Sequence, residues 1–169
     1  MRSNDFMYQR ILVPLDGSPL SLGGLDAAIA LARLTGGALR LVHVCDALTM
    51  ASALGTLSGD AIGMMKEAGA QILQDGLAHA EASGVPVSTH LVDTLGTRVS
   101  EAVIAQAAEW GAELIVLGTH GRRGMARMLL GSDAEEILRL SPVPVLLTRQ
   151  EATHLSFRID AQARPTTAA

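Results

Sequence analysis

Residues 113–138 have the sequence ELIVLGTHGRRGMARMLLGSDAEEIL, which contains the clearest strand, turn and helix signals of the chain. After Glu113 come four apolar residues in succession, Leu114 to Leu117, as expected of a strand that is covered on both faces. A turn punctuated by glycines follows, and Ser132 then precedes a segment with helical spacing. The order of strand, turn and helix is typical of an α/β protein with a parallel sheet.

Four further apolar, β-branched runs extend the pattern on either side. They are Ile11 to Leu15, Leu39 to Val44, Val85 to Val92 and Val143 to Thr148. Between these runs lie Ala- and Leu-rich segments with helical spacing, so strands and helices alternate. Right-handed crossovers then make a doubly wound, three-layer α/β/α sandwich with a Rossmann-like sheet the simplest topology.

Capping residues mark the predicted helix ends. Ser18 precedes Pro19 at the start of the first helix, and Ser132 with Glu135 has the capping-box pattern at the start of the last. The predicted stops are Gly36-Gly37, Gly84 with Pro86, Gly111, and Ser141-Pro142. Residues 46–63 lack firm periodicity and are predicted to form a long connection.

Composition limits the class of protein. The 169 residues fit one domain, and because 49% are apolar but only 2% aromatic, the core must consist of Ala, Val, Leu and Ile. The formal charge of −4 and the lack of a long basic run disfavour nucleic acid as a partner.

Cys45 is the single cysteine, so no internal disulfide forms, and its apolar neighbours predict a buried thiol. The sequence predicts no signal peptide or membrane-spanning helix, and hence a cytoplasmic protein.

Three predicted loops carry residues suited to a ligand site at the carboxyl edge of the sheet. They span Pro14 to Ser18, Val44 to Asp46, and Gly118 to Ser132. Glycines in the third loop allow its backbone amides to approach an anion, and a helix N-terminus follows. The loop has neither the Gly-Lys-Ser/Thr of a Walker motif nor the glycine spacing of a dinucleotide fingerprint.

The glycines are spaced as Gly118, two residues, Gly121, nine residues, then Gly131-Ser132. This arrangement resembles the nucleotide-binding signature of the universal stress protein family, and the resemblance extends from about Gln9 to Arg149. Its other marks are Ile11 to Ser18, Leu41 to Val44, Ala112 to Gly121, Leu129 to Ser132, and Pro142 to Leu147.

The resemblance implies a five-stranded parallel sheet in the order 3-2-1-4-5 and a homodimer formed through the last strand, Val143 to Leu147, with assembly into tetramers left open. It makes residues 9–149 the domain, residues 1–8 an N-terminal tail and residues 150–169 a flexible C-terminal tail.

The resemblance also implies ATP or a related adenine nucleotide as the ligand. Asp16 and Val44 would meet the adenine, with Pro14 beside it. The segment that would flank the ribose and phosphates is Gly118, Thr119, His120, Gly121, Arg122 and Arg123. Gly131 and Ser132 would donate hydrogen bonds to the phosphate chain.

Asp133 departs from the pattern, because ATP-binding members of the family usually have a small apolar or hydroxyl residue at this position. An acid suits a helix N-terminus but repels a triphosphate unless a divalent cation lies between them. The sequence therefore leaves Mg²⁺-dependent ATP binding and weakened ATP binding as alternatives.

Simpler structural roles are open for several of these residues. Ser132 and Glu135 can serve as a helix cap, Asp16 as a turn residue, and His120 as a solvated loop residue. His43 is expected to make a core hydrogen bond. No metal site is predicted, since no second ligand accompanies His120 at metal-binding spacing.

The favoured function is an ATP-binding, dimeric stress sensor or regulator with at most slow ATP hydrolysis, because no catalytic residues are assembled in the sequence. One alternative is a nucleotide-free family member that acts as a dimeric interaction module. A second is an enzyme of the ATP pyrophosphatase type, suggested by Ser21-Leu22-Gly23-Gly24-Leu25-Asp26. That segment is disfavoured because it lies inside the first predicted helix and Leu22 interrupts its motif.

Overall fold

The five apolar runs form one parallel sheet in a computed structural model that describes residues 7–46, 48, 59–119 and 131–149. The elements are β1 (Arg10–Pro14), α1 (Pro19–Thr35), β2 (Ala38–Asp46), α2 (Gly59–Glu81), β3 (Val87–Thr94), α3 (Val99–Trp110), β4 (Leu114–Thr119), α4 (Ser132–Leu140) and β5 (Val145–Arg149). The strand order is β3-β2-β1-β4-β5, and the pairings are parallel. The predicted fold class and strand order are confirmed.

Helices cover both faces of the sheet. Alternate residues of β1 point to opposite sides, so Ile11 packs in a cluster with Leu25 of α1 and Leu73 of α2. Leu12 faces the other cluster, which contains Val103 of α3 and Ile137 of α4. Burial on both faces explains the continuous apolar runs of the central strands. In the described ranges, no helix is long and apolar enough to cross a membrane.

Most of the predicted helix caps are present. The Ser18 hydroxyl accepts a hydrogen bond from the Ser21 amide at 3.2 Å, and Pro19 occupies the first helical position. Gly36 and Gly111 end α1 and α3 in the left-handed conformation, with φ of 70° and 68°.

Several predicted boundaries are wrong. β3 runs from Val87 to Thr94, two residues later than predicted. β2 continues through Asp46, because its pairing with β3 extends to Asp46 opposite Thr94, so Val44 lies within a strand and not in a loop. β5 begins at Val145, because the amide of Val143 donates to the Ser141 hydroxyl and Pro144 has no amide hydrogen. α2 begins at Gly59, inside the predicted connection. The predicted tail at 150–169 and residues 1–6 lie outside the described residues.

Two glycines bring α1 and β4 into backbone contact. A Cβ atom on Gly118 would lie 1.8 Å from the carbonyl oxygen of Leu20, and a Cβ on Gly24 would lie 2.8 Å from the Gly118 amide nitrogen. Neither position has room for a side chain, since the facing atoms are backbone. This contact fixes the start of α1 against the carboxyl end of β4.

Gly118→Ala should destabilise the fold by about 3 kcal/mol, the upper range for overpacking, because the clash is with backbone that cannot rotate away. The measurement is urea unfolding followed by far-UV circular dichroism. Gly63→Ala is the matched control, since a Cβ there meets nothing within 4 Å inside α2. The control should gain about 0.5 to 1 kcal/mol through helix propensity. Equal stabilities of wild type and Gly118→Ala would refute the contact.

Candidate functional site

The cleft lies where the sheet reverses its strand order. β1 and β4 are neighbours in the sheet, but α1 after β1 covers one face while α4 after β4 covers the other. Ligands of open parallel sheets bind at the carboxyl ends of the strands at such a point. A cavity of about 350 Å³ opens there.

Eight of the twelve residues predicted for the site line this one cavity. They are Pro14, Asp16, Val44, Gly118, Thr119, Gly131, Ser132 and Asp133. The remaining four, His120, Gly121, Arg122 and Arg123, lie outside the described residues.

The loop after β1 is held by Asp16. Its carboxylate accepts a hydrogen bond from the Ser18 amide at 2.9 Å, and its own amide is 3.4 Å from the Ser21 hydroxyl. Partial burial would raise the pKa of Asp16, but hydrogen bonds from Ser18 and Ser21 outweigh it and hold the pKa below its ordinary value. Asp16 is therefore ionised at neutral pH. Its predicted turn role is confirmed, and its ligand role stays a prediction.

Val44 and His43 at the end of β2 face opposite sides of the sheet. Val44 packs on the cluster beneath α3 and α4 and lines the cavity. The Nδ1 atom of His43 lies 2.7 Å from the Leu15 carbonyl oxygen and must donate to it, which confirms the predicted core hydrogen bond. Cys45 is buried as predicted, and this burial, with the charge of Asp93, raises the pKa of its thiol.

Two residues at the end of β4 have structural roles in the sheet. Gly118 lacks a side chain because Leu20 occupies that space. The Thr119 hydroxyl donates to the Thr148 carbonyl of β5 at 3.0 Å, and the residue is 5% exposed. Both residues border the cavity, but their identities are explained by packing within the sheet.

The start of α4 forms the opposite wall. The predicted capping box is wrong, because Gly131 occupies the N-cap position and no side chain caps it. The first intrahelical bond runs from the Glu135 amide to the Gly131 carbonyl at 2.9 Å. The amides of Ser132, Asp133 and Ala134 precede this bond and belong to the set that a helix leaves without an internal acceptor. A Cβ on Gly131 would meet nothing within 4 Å in the described structure.

A carboxylate clasp holds α4 against α3. Glu136 accepts hydrogen bonds from the fully buried Ser100 hydroxyl at 2.7 Å and from the Arg98 guanidinium at 2.9 Å. The Ser100 hydrogen bond, followed by the charge of Arg98, keeps the pKa of Glu136 below its ordinary value. Glu136 lies two residues after Ala134, which lines the cavity. The clasp therefore holds the first turn of α4 in place beside the cavity.

A second cavity of about 490 Å³ adjoins the first and shares His43, Val44, Val99 and Asp133 with it. Arg98 and Gly96 border this second cavity and were not predicted for the site. Their position shortly after β3 is the sequence signal for these two residues. The three loops predicted to form the site did not include the carboxyl end of that strand. In the part of the chain that the structure describes, no three His, Cys, Asp or Glu side chains are grouped to hold a metal ion.

The clasp predicts a pH dependence of stability. A carboxyl whose pKa is lower in the folded state stabilises the fold above its unfolded pKa, and loses that contribution as the pH falls through its folded pKa. Wild type should therefore be more stable than Glu136→Gln at pH 7, and this difference should shrink as the pH falls below 4.5, the ordinary pKa of glutamate.

The measurement is urea unfolding of both proteins at pH 7 and at acid pH. Glu67→Gln, an exposed position in the interior of α2, is the control and should differ little from wild type at either pH. A difference between wild type and Glu136→Gln that is the same at both pH values would contradict the clasp.

Two solved structures that are less than 25% identical to this chain share its fold. A universal stress protein from Archaeoglobus fulgidus in complex with dAMP is 21% identical with a TM-score of 0.60, covering 83% of this chain and 98% of that one. A universal stress protein in complex with cAMP is 23% identical with a TM-score of 0.59, covering 85% and 98%.

Closer relatives give the family. The model of the universal stress protein family matches residues 7–149. Universal stress protein YxiE of Bacillus subtilis is 32% identical over 151 residues, covering 85% of this chain and 100% of that protein. A crystal structure from Burkholderia pseudomallei is 33% identical with a TM-score of 0.68, covering 84% of this chain and 96% of that one. The chain therefore belongs to the universal stress protein family.

Proposed function

We propose that this protein binds an adenine nucleotide in the cleft between the loop after β1 and the start of α4, and acts as a stress sensor or regulator. The observation that carries the proposal is the convergence of residues from separate parts of the sequence on one cavity. Pro14, Asp16, Val44 and Ser132 lie along it, at the edge of the sheet where such folds hold ligands.

The chemistry of the walls suits the parts of a nucleotide. Pro14 and Val44 offer apolar surface to an adenine ring, and the ionised Asp16 carboxylate can accept from the exocyclic amine that adenine presents. At the other wall, the first-turn amides of α4 and the Ser132 hydroxyl can donate to phosphate oxygens. His120, Gly121, Arg122 and Arg123 are proposed to complete the phosphate side.

Relatives support the choice of ligand class. Family structures with the same fold were solved with dAMP and with cAMP, so this architecture accommodates an adenine nucleotide. ATP, with or without Mg²⁺, is the specific ligand proposed here, on the glycine spacing from Gly118 to Ser132. Residues 9–149 are proposed as the nucleotide-binding domain and residues 150–169 as a tail, in a cytoplasmic protein.

A regulatory role fits the cavity better than rapid catalysis. His43 is the histidine among the described lining residues, and its Nδ1 atom is already bonded to the Leu15 carbonyl. Slow hydrolysis would depend on Asp16 or Asp133 to position water. The segment from Ser21 to Asp26 lies within α1, which removes the support for a pyrophosphatase-type enzyme.

Gly131→Val should weaken nucleotide binding without unfolding the protein. Gly131 has φ of −61°, and no described residue lies within 4 Å of a Cβ there, so we expect valine to fit the free protein but to intrude where a phosphate would approach. Calorimetric titration with AMP and ATP, in the presence of Mg²⁺, measures the effect. We expect at least a tenfold weaker Kd, about 1.4 kcal/mol of binding free energy.

Gly59→Val is the matched control, since Gly59 also begins a helix with nothing within 4 Å of a Cβ and does not line the cavity. The control should bind like wild type. If folded, nucleotide-free wild-type protein binds neither AMP nor ATP, the proposal fails and the dimeric interaction module becomes the better interpretation.

We further propose that the protein is a homodimer through β5. This strand lies at the edge of the described sheet beside β4, and Leu146, its second residue, is 39% exposed. An apolar edge strand invites pairing with a second copy.

Leu146→Arg should convert the dimer into a monomer, because a charge within the edge strand cannot be buried in a symmetric interface. Sedimentation velocity at several concentrations measures the change. Leu34→Arg is the control, since Leu34 is 80% exposed and lies next to Thr35, whose hydroxyl donates to the Tyr8 carbonyl just before β1, and it should leave the assembly intact. A wild-type chain that sediments as a monomer at all concentrations contradicts the proposal.

A further inference from the structure

We propose that Asp133 sets the charge preference of the cleft, so that a nucleoside triphosphate binds well only with a divalent cation, whereas a nucleoside monophosphate binds almost independently of one. This role for Asp133 rests on the proposed nucleotide site. It concerns which charge state of the ligand is accepted, and the described residues need not hold the cation themselves.

The first observation is the position of Asp133. It is the second residue of α4, directly after Ser132, and its side chain is exposed. It lines both the cavity of about 350 Å³ and the adjoining cavity of about 490 Å³. A phosphate chain that reaches the first-turn amides of α4 must therefore pass close to this carboxylate.

The second observation is that, among the described residues that line the two cavities, the arginine beside Asp133 is already engaged. Arg98 borders the second cavity together with Asp133, but its guanidinium pairs with Glu136 at 2.9 Å. Glu136 is fixed in turn by the buried Ser100 hydroxyl at 2.7 Å. Among the described residues, Asp133 has no ion-pair partner.

The third observation is that the opposite wall adds charge of the same sign. The pKa of Asp16 lies below its ordinary value, so the wall opposite Asp133 carries an ionised carboxylate at neutral pH. Like charges near a protein surface repel appreciably at short distance. A triphosphate brings more negative charge than a monophosphate and extends it further along the wall, so it is penalised more.

The location of Asp133 is favourable in the free protein. A carboxylate in the first turn of a helix is stabilised by the helix dipole. A metal-free triphosphate that approaches the same helix end is repelled by the Asp133 carboxylate that already lies there. A divalent cation on the phosphates removes this conflict, because it neutralises part of the ligand charge.

The test is calorimetric titration of wild type, Asp133→Asn and Glu135→Gln with ATP and with AMP, each in Mg²⁺ and in EDTA. Asparagine keeps the shape of Asp133 and removes its charge. Glu135 is an exposed acid on the same turn of α4 that lines neither cavity, so Glu135→Gln removes an equal charge as the matched control.

We expect wild type to bind ATP about tenfold more tightly in Mg²⁺ than in EDTA, a difference of about 1.4 kcal/mol. In Asp133→Asn this ratio should fall to about twofold or less, because metal-free ATP binds more tightly to it. AMP should change by less than about threefold throughout, and Glu135→Gln should follow wild type. The difference between wild type and Asp133→Asn should shrink in high salt, as expected for a screened charge effect.

An unchanged ratio of Mg²⁺ to EDTA affinity in Asp133→Asn, with AMP still bound, overturns the role of Asp133 and leaves the nucleotide site intact. Absence of AMP and ATP binding by folded wild type overturns both. If Asp133→Asn lowers the thermal midpoint, Asp133→Ser, a second uncharged polar substitution, repeats the comparison.

Discussion

The backbone contact between α1 and β4 is the constraint on which the rest of the site depends. Gly24 and Gly118 lack side chains so that the first turn of α1 can lie directly against the carboxyl end of β4. This contact fixes the loop after β1, because Ser18 and Ser21 both belong to the start of α1 and hold Asp16 through hydrogen bonds. One wall of the cleft is therefore part of the rigid frame of the sheet.

The other wall is held differently. α4 buries Ile137 and is tied to α3 by the bonds that Glu136 makes with Ser100 and Arg98. Hydrogen bonds between side chains constrain a helix less than interlocked backbone does, so a charge placed in the cleft would bias the position of α4 more easily than that of α1. The chain from the end of α4 leads within a few residues to β5, the edge of the sheet. A ligand that biases α4 thus has a short route to the proposed dimer interface.

The sequence predicted the architecture well because the signals for it are local. Continuous apolar runs predicted the strands, and Ser18, Gly36 and Gly111 predicted helix ends that the structure contains. The sequence was misleading at one local signal, and it gave no signal where a distant partner decides the contact. Ser132 and Glu135 have the capping-box spacing, but the cap falls on Gly131. Ser100 and Arg98 gave no sign of their bond to Glu136, because only the packing of α3 on α4 brings them together.

The glycines of the signature differ in what they say about function. Gly118 is required by the Leu20 carbonyl whether or not a ligand binds, so its presence alone does not distinguish a nucleotide-binding member from one that has lost the ligand. Gly131 has an ordinary φ of −61° and no neighbour in the described structure that a Cβ would touch. Neither backbone conformation nor described packing calls for glycine there. Close approach of a ligand to the backbone would call for it, and for this reason the proposed nucleotide site depends more on Gly131 than on Gly118.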